Sequence, residues 1–308
     1  MFKDNIKGAG LCLFAAILWG GMFPVMSTAL SVVDPFTFTS LRYLIAGILF
    51  ILIVIAIEGR RGIALHGERV GLAWVIGTIG FAGFNFLIFW GQQMAGQDGA
   101  LIASVFIATQ PILGVFVNWS INKKAPSFCS FVFTIMSFIG VILVITKGDV
   151  YSVIRNPGNY VPDGIMLLAS LSWVIYTSSV AFFPKWSHYK YAAITCMLGL
   201  SGVFIINIFL VVSGTLPIPS VTAFEATVPQ ILYMALPAGV IAVLCWVAGN
   251  KILAPTNGVL FMNAVPVTTF GISAIQGIVP NPVQIFGAAF TCVALILNNL
   301  YVRRRRQK

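Results

Sequence analysis

Ten stretches of about 20 apolar residues follow one another along this chain, and no other feature limits its fold as much. They cover 8–30, 36–57, 70–93, 100–121, 126–146, 162–183, 190–213, 229–250, 254–276 and 281–302. About 20 residues of helix carry a backbone across the hydrocarbon core of a bilayer, where every N–H and C=O must be satisfied within the protein. The chain is 59% hydrophobic and 8% charged, against about 25% charge for a soluble domain. The expected fold is an all-α membrane protein with ten transmembrane helices. The first stretch is too long for the apolar core of a signal peptide, so it is expected to stay as a span.

The charges give this array a sidedness. Both termini and the even-numbered loops hold Lys3, Lys7, Arg60, Arg61, Arg69, Lys123, Lys124, Lys185, Lys190, Lys251, Arg303, Arg304, Arg305, Arg306 and Lys308, fifteen of the 18 basic residues. The odd-numbered loops hold Lys147 and Arg155 beside Asp34, Asp98, Asp149, Asp163 and Glu225. Basic loops stay on the cytoplasmic side, so both termini are expected there. This placement explains the net charge of +10 without nucleic acid. The basic tail reads as a stop signal and lipid anchor.

Five spans fall in each half, 1–152 and 153–308. An odd number forces the second half to enter the membrane inverted relative to the first. Weak internal matches follow an offset of about half the chain: Trp19 with Trp173, Pro111 with Pro266, Pro126 with Pro282. Inverted repeats are a feature of alternating-access carriers, whose site lies at the midplane between repeats.

Trp19 and Trp173 fall at the centres of their spans, away from the interfacial belt that Trp favours. Trp74, Trp90, Trp119 and Trp246 lie near span ends and Trp186 in a loop, as belt anchors would. A central Trp is either a packing residue or a cavity wall. The segment Trp19-Gly20-Gly21-Met22-Phe23-Pro24 favours the wall, because glycine permits close approach and Pro24 deprives the Gly20 carbonyl of its usual donor. Pro111 and Pro266 free the carbonyls of Ile107 and Met262 in the same way, beside Thr109, Gln110, Asn263 and Thr268. Ala100, Ser104 and Ala108 form a small face suited to close helix packing.

No Asp, Glu, Lys or His lies well inside a span, and Arg42 is the one charged exception. Proton-driven carriers usually depend on such groups, so export down the solute's own gradient is expected. Neutral polar candidates are Asn85, Gln92, Ser172, Tyr176, Asn207 and Gln276. Arg42, roughly 9 Å inside the second span at 1.5 Å per residue, either snorkels to headgroups or faces an aqueous vestibule and attracts a carboxylate. The five cysteines lie in apolar runs without a C-x-x-C pair, and His66 and His188 stand in polar loops. No disulfide, metal or cofactor is expected, and nothing clusters as a membrane-embedded enzyme would require.

The segment "LWGGMF" from Leu18 to Phe23, ten spans and a midplane proline in the fourth helix of each half resemble the ten-helix carriers of the drug/metabolite transporter superfamily. Within it, the chain looks most like bacterial exporters of aromatic and other neutral amino acids. The resemblance implies an inner-membrane protein exporting amino acids by alternating access through a central cavity. The alternative is export of another small metabolite or drug, with or without proton coupling. The first-helix glutamate of the four-helix multidrug relatives is missing. The resemblance carries Trp19, Trp173, Pro111 and Pro266 to the cavity. Aromatic walls are expected from Trp19, Trp173 and Tyr176, with Phe23 and Phe84 nearby. Hydrogen bonds to ammonium and carboxylate are expected from Asn85, Gln110, Asn263 and the freed carbonyls, including that of Gly20, with Arg42 in reserve for the anion.

Overall fold

The computed structural model describes residues 2–123, 127–155, 157–253 and 259–306. Among them all regular structure is helical: α1 Phe2–Ala29, α2 Pro35–Glu58, α3 Val70–Met94, α4 Gly99–Ala108, α5 Gln110–Asn122, α6 Phe128–Thr146, α7 Val161–Ser178, α8 His188–Val212, α9 Val221–Asn250, α10 Ala264–Ile275 and α11 Pro282–Arg306. Eight of these are long and apolar enough to cross a membrane: α1, α2, α3, α6, α7, α8, α9 and α11. The pair α4 and α5 is bent by 41°. α10 is a shorter apolar helix led in by a 3-10 turn, Val259–Asn263. Against ten uniform spans, the described residues hold eight continuous ones, one bent pair and one short helix. The start of the ninth run, 254–258, lies outside the described residues.

Local chemistry sets the boundaries. Asp34 caps α2, its Oδ1 accepting from the N–H of Phe36 at 2.9 Å and of Thr37 at 2.8 Å, with Pro35 in the first turn, where a missing N–H costs nothing. Ser127, Ser187 and Ser220 cap α6, α8 and α9. The eighth span therefore begins at Val221, with Pro229 inside it, rather than at Pro229 as the apolar run suggested. Glu225 moves from a loop onto α9. Asp163 moves into the first turn of α7 and is buried, at the helix end that favours negative charge.

Two widened turns interrupt otherwise regular spans. α3 is π-helical over Ile79–Gly83 and α9 over Leu236–Ile241. Neither was foreseen from the sequence. Such bulges recur at functional sites because they redirect side chains and loosen the carbonyl ladder.

The helices approach closely where glycines meet. A Cβ on Gly140 of α6 would stand 2.6 Å from the carbonyl oxygen of Gly287 on α11, and one on Gly287 would stand 2.7 Å from that of Gly140. Gly77 of α3 faces Gly199 of α8 in the same manner. Small residues give membrane helices the van der Waals contact that lipid tails cannot supply selectively. Every residue of α4 is buried, Ala100, Ser104 and Ala108 included, so this helix runs through the centre. Outward faces stay apolar, as on α6, where Phe131, Ile135, Ile139 and Ile142 are exposed.

The ends differ. At one, Lys190 pairs with Glu68 at 3.4 Å and donates to the Ala64 carbonyl at 2.9 Å, while Ser187 donates to Glu58. This end gathers the even loops. At the other, Lys147 pairs with Asp98 at 2.6 Å and Gln284 donates to the same carboxylate at 3.5 Å.

Candidate functional site

A cavity of about 1200 Å³ runs from the middle of the helical bundle to the even-loop end. Its mouth is lined by Ser187, His188 and Tyr189 at the start of α8, by Asn250 at the end of α9 and by Ile252 and Leu253 just after it. Its inner wall is largely aromatic, with Trp19, Phe84, Trp173, Tyr176 and Trp246. Toward the odd loops, Phe23, Met26, Phe38, Ile88 and Phe89 have no exposed surface and share one apolar cluster. The cavity is therefore plugged on that side and open on the other.

Trp19 has an explanation for its depth. Its indole N–H donates to the carbonyl of Ala238 at 3.0 Å, inside the π-turn of α9. A buried indole needs such a partner, and a helix with regular walls leaves few. Its ring stands 5.2 Å from that of Trp246, which makes Trp246 a wall residue rather than the belt anchor expected from its place near a span end. Trp173 sits between Phe84 at 5.0 Å and Tyr176 at 5.1 Å. Tyr176 shares a hydrogen bond with Thr195 at 3.1 Å. Gly80, in the π-turn of α3, leaves the space that this tyrosine ring fills, since a Cβ there would meet it at 2.5 Å. Trp186 is likewise buried, against Phe183, and not a free loop anchor.

Arg42 does not snorkel. It is 4% exposed and lines the cavity. Its Nη2 donates to the Tyr43 hydroxyl at 2.7 Å and to Asn85 Oδ1 at 3.0 Å. Asn85 in turn donates to the Tyr43 hydroxyl and to the Phe81 carbonyl, both at 3.0 Å. Nη1 reaches only the sulfur of Met234 at 3.7 Å, and Nε has no acceptor. The guanidinium lies 4.4 Å above the Tyr43 ring and 5.6 Å from that of Phe89. Among the described residues no carboxylate pairs with it, and none lines the cavity.

Of the residues named from the sequence, Trp19, Arg42, Gln110, Pro111, Trp173 and Tyr176 line the cavity, and so does Phe84. Five others are placed elsewhere. Gly20 packs against α10: a Cβ on it would stand 2.6 Å from Thr268 Cβ and 2.8 Å from the Val265 carbonyl oxygen. The carbonyl of Gly20, freed by Pro24, accepts from Thr269 Oγ1 at 2.7 Å, so a side chain takes the place expected for a solute. Phe23 belongs to the plug, and its carbonyl accepts from Gln92 Nε2 at 2.7 Å. Asn85 stands behind Arg42 and is fully buried. Asn263 and Pro266 lie off the wall; the Asn263 carbonyl accepts from Cys292 Sγ at 3.7 Å, while neighbouring Met262 faces the cavity. Pro111 does not kink a running helix but starts α5, after the break at Thr109. Most of the neutral polar groups tie helices together: Gln92 joins α3 to α1, and Asn207 Nδ2 donates to Ser40 across α8 and α2 at 2.8 Å. Ser172 bonds within its own helix, and Gln110 stands with Tyr176 on the wall, its Nε2 without an acceptor among the described residues.

Tyr43, Met22, Phe81 and Trp246 reach the wall without having been singled out. Tyr43 had one signal, its position next to Arg42.

The sequence profile of the EamA-like transporter family matches the chain twice, over 6–146 and 162–300. The chain belongs to the EamA-like transporter family, within the drug/metabolite transporter superfamily. It is 34% identical over 304 residues to "Uncharacterized transporter YrdR" of Bacillus subtilis (strain 168), covering 98% of this chain and 94% of that one. It is 25% identical to "Uncharacterized transporter YyaM" of the same organism, over 94% of this chain and 92% of the other. An "Uncharacterized transporter" of Archaeoglobus fulgidus is 24% identical over 95% of this chain and 85% of its own. A crystal structure of a protein 18% identical superposes with a TM-score of 0.61 over 95% of both chains. At that identity the likeness shows the fold. This EamA-like chain is a multi-pass membrane transporter, all-helical among its described residues.

Proposed function

We propose that this transporter exports amino acids, aromatic and other neutral ones, across the bacterial inner membrane by alternating access. The observation that carries the reading is the one-sided cavity, walled by Trp19 and Trp173 around a buried Arg42. Aromatic rings take an apolar side chain by burial and offset stacking, and a guanidinium takes a carboxylate. The wall set is Trp19, Arg42, Phe84, Gln110, Trp173 and Tyr176, with Pro111 shaping the break beside Gln110. Asn85 holds the guanidinium from behind, and Gly20 lets α1 approach α10.

Several features support the carrier geometry. The family profile recurs in the two halves, 1–152 and 153–308, in keeping with ten spans in two inverted repeats. α1 packs on α9 as α3 packs on α7, which pairs the first helix of each half with the third of the other. The π-turns of α3 and α9 stand at matching places. With the basic loops and termini in the cytoplasm, the mouth beside Ser187 and His188 faces the cytoplasm, the side from which an exporter loads. No described acid lines the cavity, which favours facilitated export down the solute gradient.

The test is uptake into proteoliposomes holding the purified protein, with labelled Phe, Trp, Thr and Met, with and without a pH gradient. Saturable uptake that ignores the gradient supports the reading. Uptake that requires the gradient overturns the facilitative part. No uptake of any amino acid by folded protein returns sugars, nucleosides and drugs to the front.

A further inference from the structure

We propose that the cavity reads a carboxylate and not an amine, so that its solutes are small monocarboxylates with an apolar or aromatic tail, the amino group being dispensable. The inference rests on the reading of this cavity as the solute site, and narrows what that site recognises.

The cavity wall carries an unbalanced charge. Arg42 is 4% exposed and enclosed by Tyr43, Asn85, Phe89 and Met234. Among the described residues its firm bonds leave from Nη2. Nη1 has a thioether sulfur, a weak acceptor, and Nε has nothing. An uncompensated buried cation is costly. The anion that would compensate it is absent from the described wall, so a bound solute is the natural source. A carboxylate beside a guanidinium gains short, charge-assisted hydrogen bonds.

A second group points the same way. Gln110 is 7% exposed and on the wall, and its Nε2 has no acceptor among the described residues. Both unpartnered nitrogens are donors without exposed surface, on side chains that line the cavity, so a solute that satisfies them must bring acceptors and draw these side chains toward itself. An ammonium meets the opposite conditions. It finds no described carboxylate on the wall, it is repelled by Arg42, and it has the faces of rings to interact with. Cation–π contact of that kind amounts to about 0.5–2 kcal/mol. The amine of an amino acid is therefore tolerated and not selected.

Three compounds of one skeleton separate these features: L-phenylalanine, 3-phenylpropionate, which lacks the amine, and phenethylamine, which lacks the carboxylate. Their transport is measured in proteoliposomes. Their binding to the purified protein is measured by quenching of intrinsic tryptophan fluorescence, since Trp19, Trp173 and Trp246 line the cavity. The expected result is that 3-phenylpropionate is bound at least as tightly as phenylalanine, and phenethylamine at least tenfold more weakly. Arg42→Gln should remove that preference, and Arg42→Lys should keep its sign with weaker binding. Should Arg42→Gln fail to fold, as judged by gel filtration and melting, the three-compound comparison on the wild type still decides. Phenethylamine binding as tightly as the acid, or a preference that survives in folded Arg42→Gln, overturns the inference. So does the absence of any binding by 3-phenylpropionate. Binding of the acid through Arg42 without transport of any compound supports the inference and sinks the carrier reading instead.

Discussion

The π-turn of α3 and the π-turn of α9 share a geometry and differ in chemistry. Each lies against the helix that carries a central tryptophan. Gly80 of the α3 turn receives the ring of Tyr176, next to Trp173, while Ala238 of the α9 turn accepts the N–H of Trp19. Six residues on from Ile79 stands Asn85, which accepts from Arg42. Six residues on from Leu236 stands Ala242, fully buried and apolar. The frame is repeated and the polar chemistry is not. Arg42 leans between the two, bonded to Asn85 on α3 and touching only Met234 on α9. Arg42 thus has a polar neighbour on the α3 side and an apolar one on the α9 side, and its guanidinium is held toward α3.

Substitutions can break that contrast. Asn85→Leu makes the α3 position behind Arg42 as apolar as Ala242 on α9 and strips an acceptor from a buried cation. A hydrogen bond to a charged group contributes about 1.5–3 kcal/mol, so a drop of that size in unfolding free energy is expected, with uptake lower as well. An unchanged melting point would show that Asn85 does not hold Arg42. Thr269→Val acts on the other side, where Pro24 frees the Gly20 carbonyl. Leaving that buried acceptor without a donor costs about 1–3 kcal/mol, read by melting in detergent. Wild-type stability there would mean that water or another group serves the carbonyl. Trp19→Phe keeps a ring and removes the bond to Ala238. The loss of one neutral hydrogen bond, about 1 kcal/mol, predicts roughly a fivefold fall in uptake at most. A larger fall would mean that the indole N–H also meets the solute.

Much of this was legible in the sequence, for reasons that can be named. The spans follow from bilayer thickness and apolar runs, so α1, α2 and α8 stand within a few residues of their predicted ranges. Trp19 and Trp173 pointed to the cavity because they lie mid-span, away from the interfacial belt that Trp favours, and both line it. Arg42 did so because a cation in a span needs a partner. Distance along the chain hid the rest. Nothing near Gly20 says that Thr269, some 250 residues on, will cap its carbonyl. Asn85 was expected to bond the solute and is bonded to Arg42 instead; one sequence cannot tell a ligand-facing amide from one that holds a neighbouring side chain. Trp246 looked like a belt residue by its depth alone, and only the packing of α1 on α9 turns it toward Trp19. The π-turns have no sharp signal, since Gly80 and Pro237 with Gly239 are common in membrane helices. The break at Thr109 was expected from Pro111, though as a kink rather than the start of a new helix.

The central claim is that solute crosses the membrane through the cavity between the two tryptophans. The most direct measurement is saturable uptake of a labelled amino acid into proteoliposomes by the wild type beside a Trp19→Ala, Trp173→Ala double variant, with folding checked by gel filtration and melting. The account predicts saturable uptake in the wild type and background uptake in the folded double variant. A folded double variant that transports at the wild-type rate would contradict it.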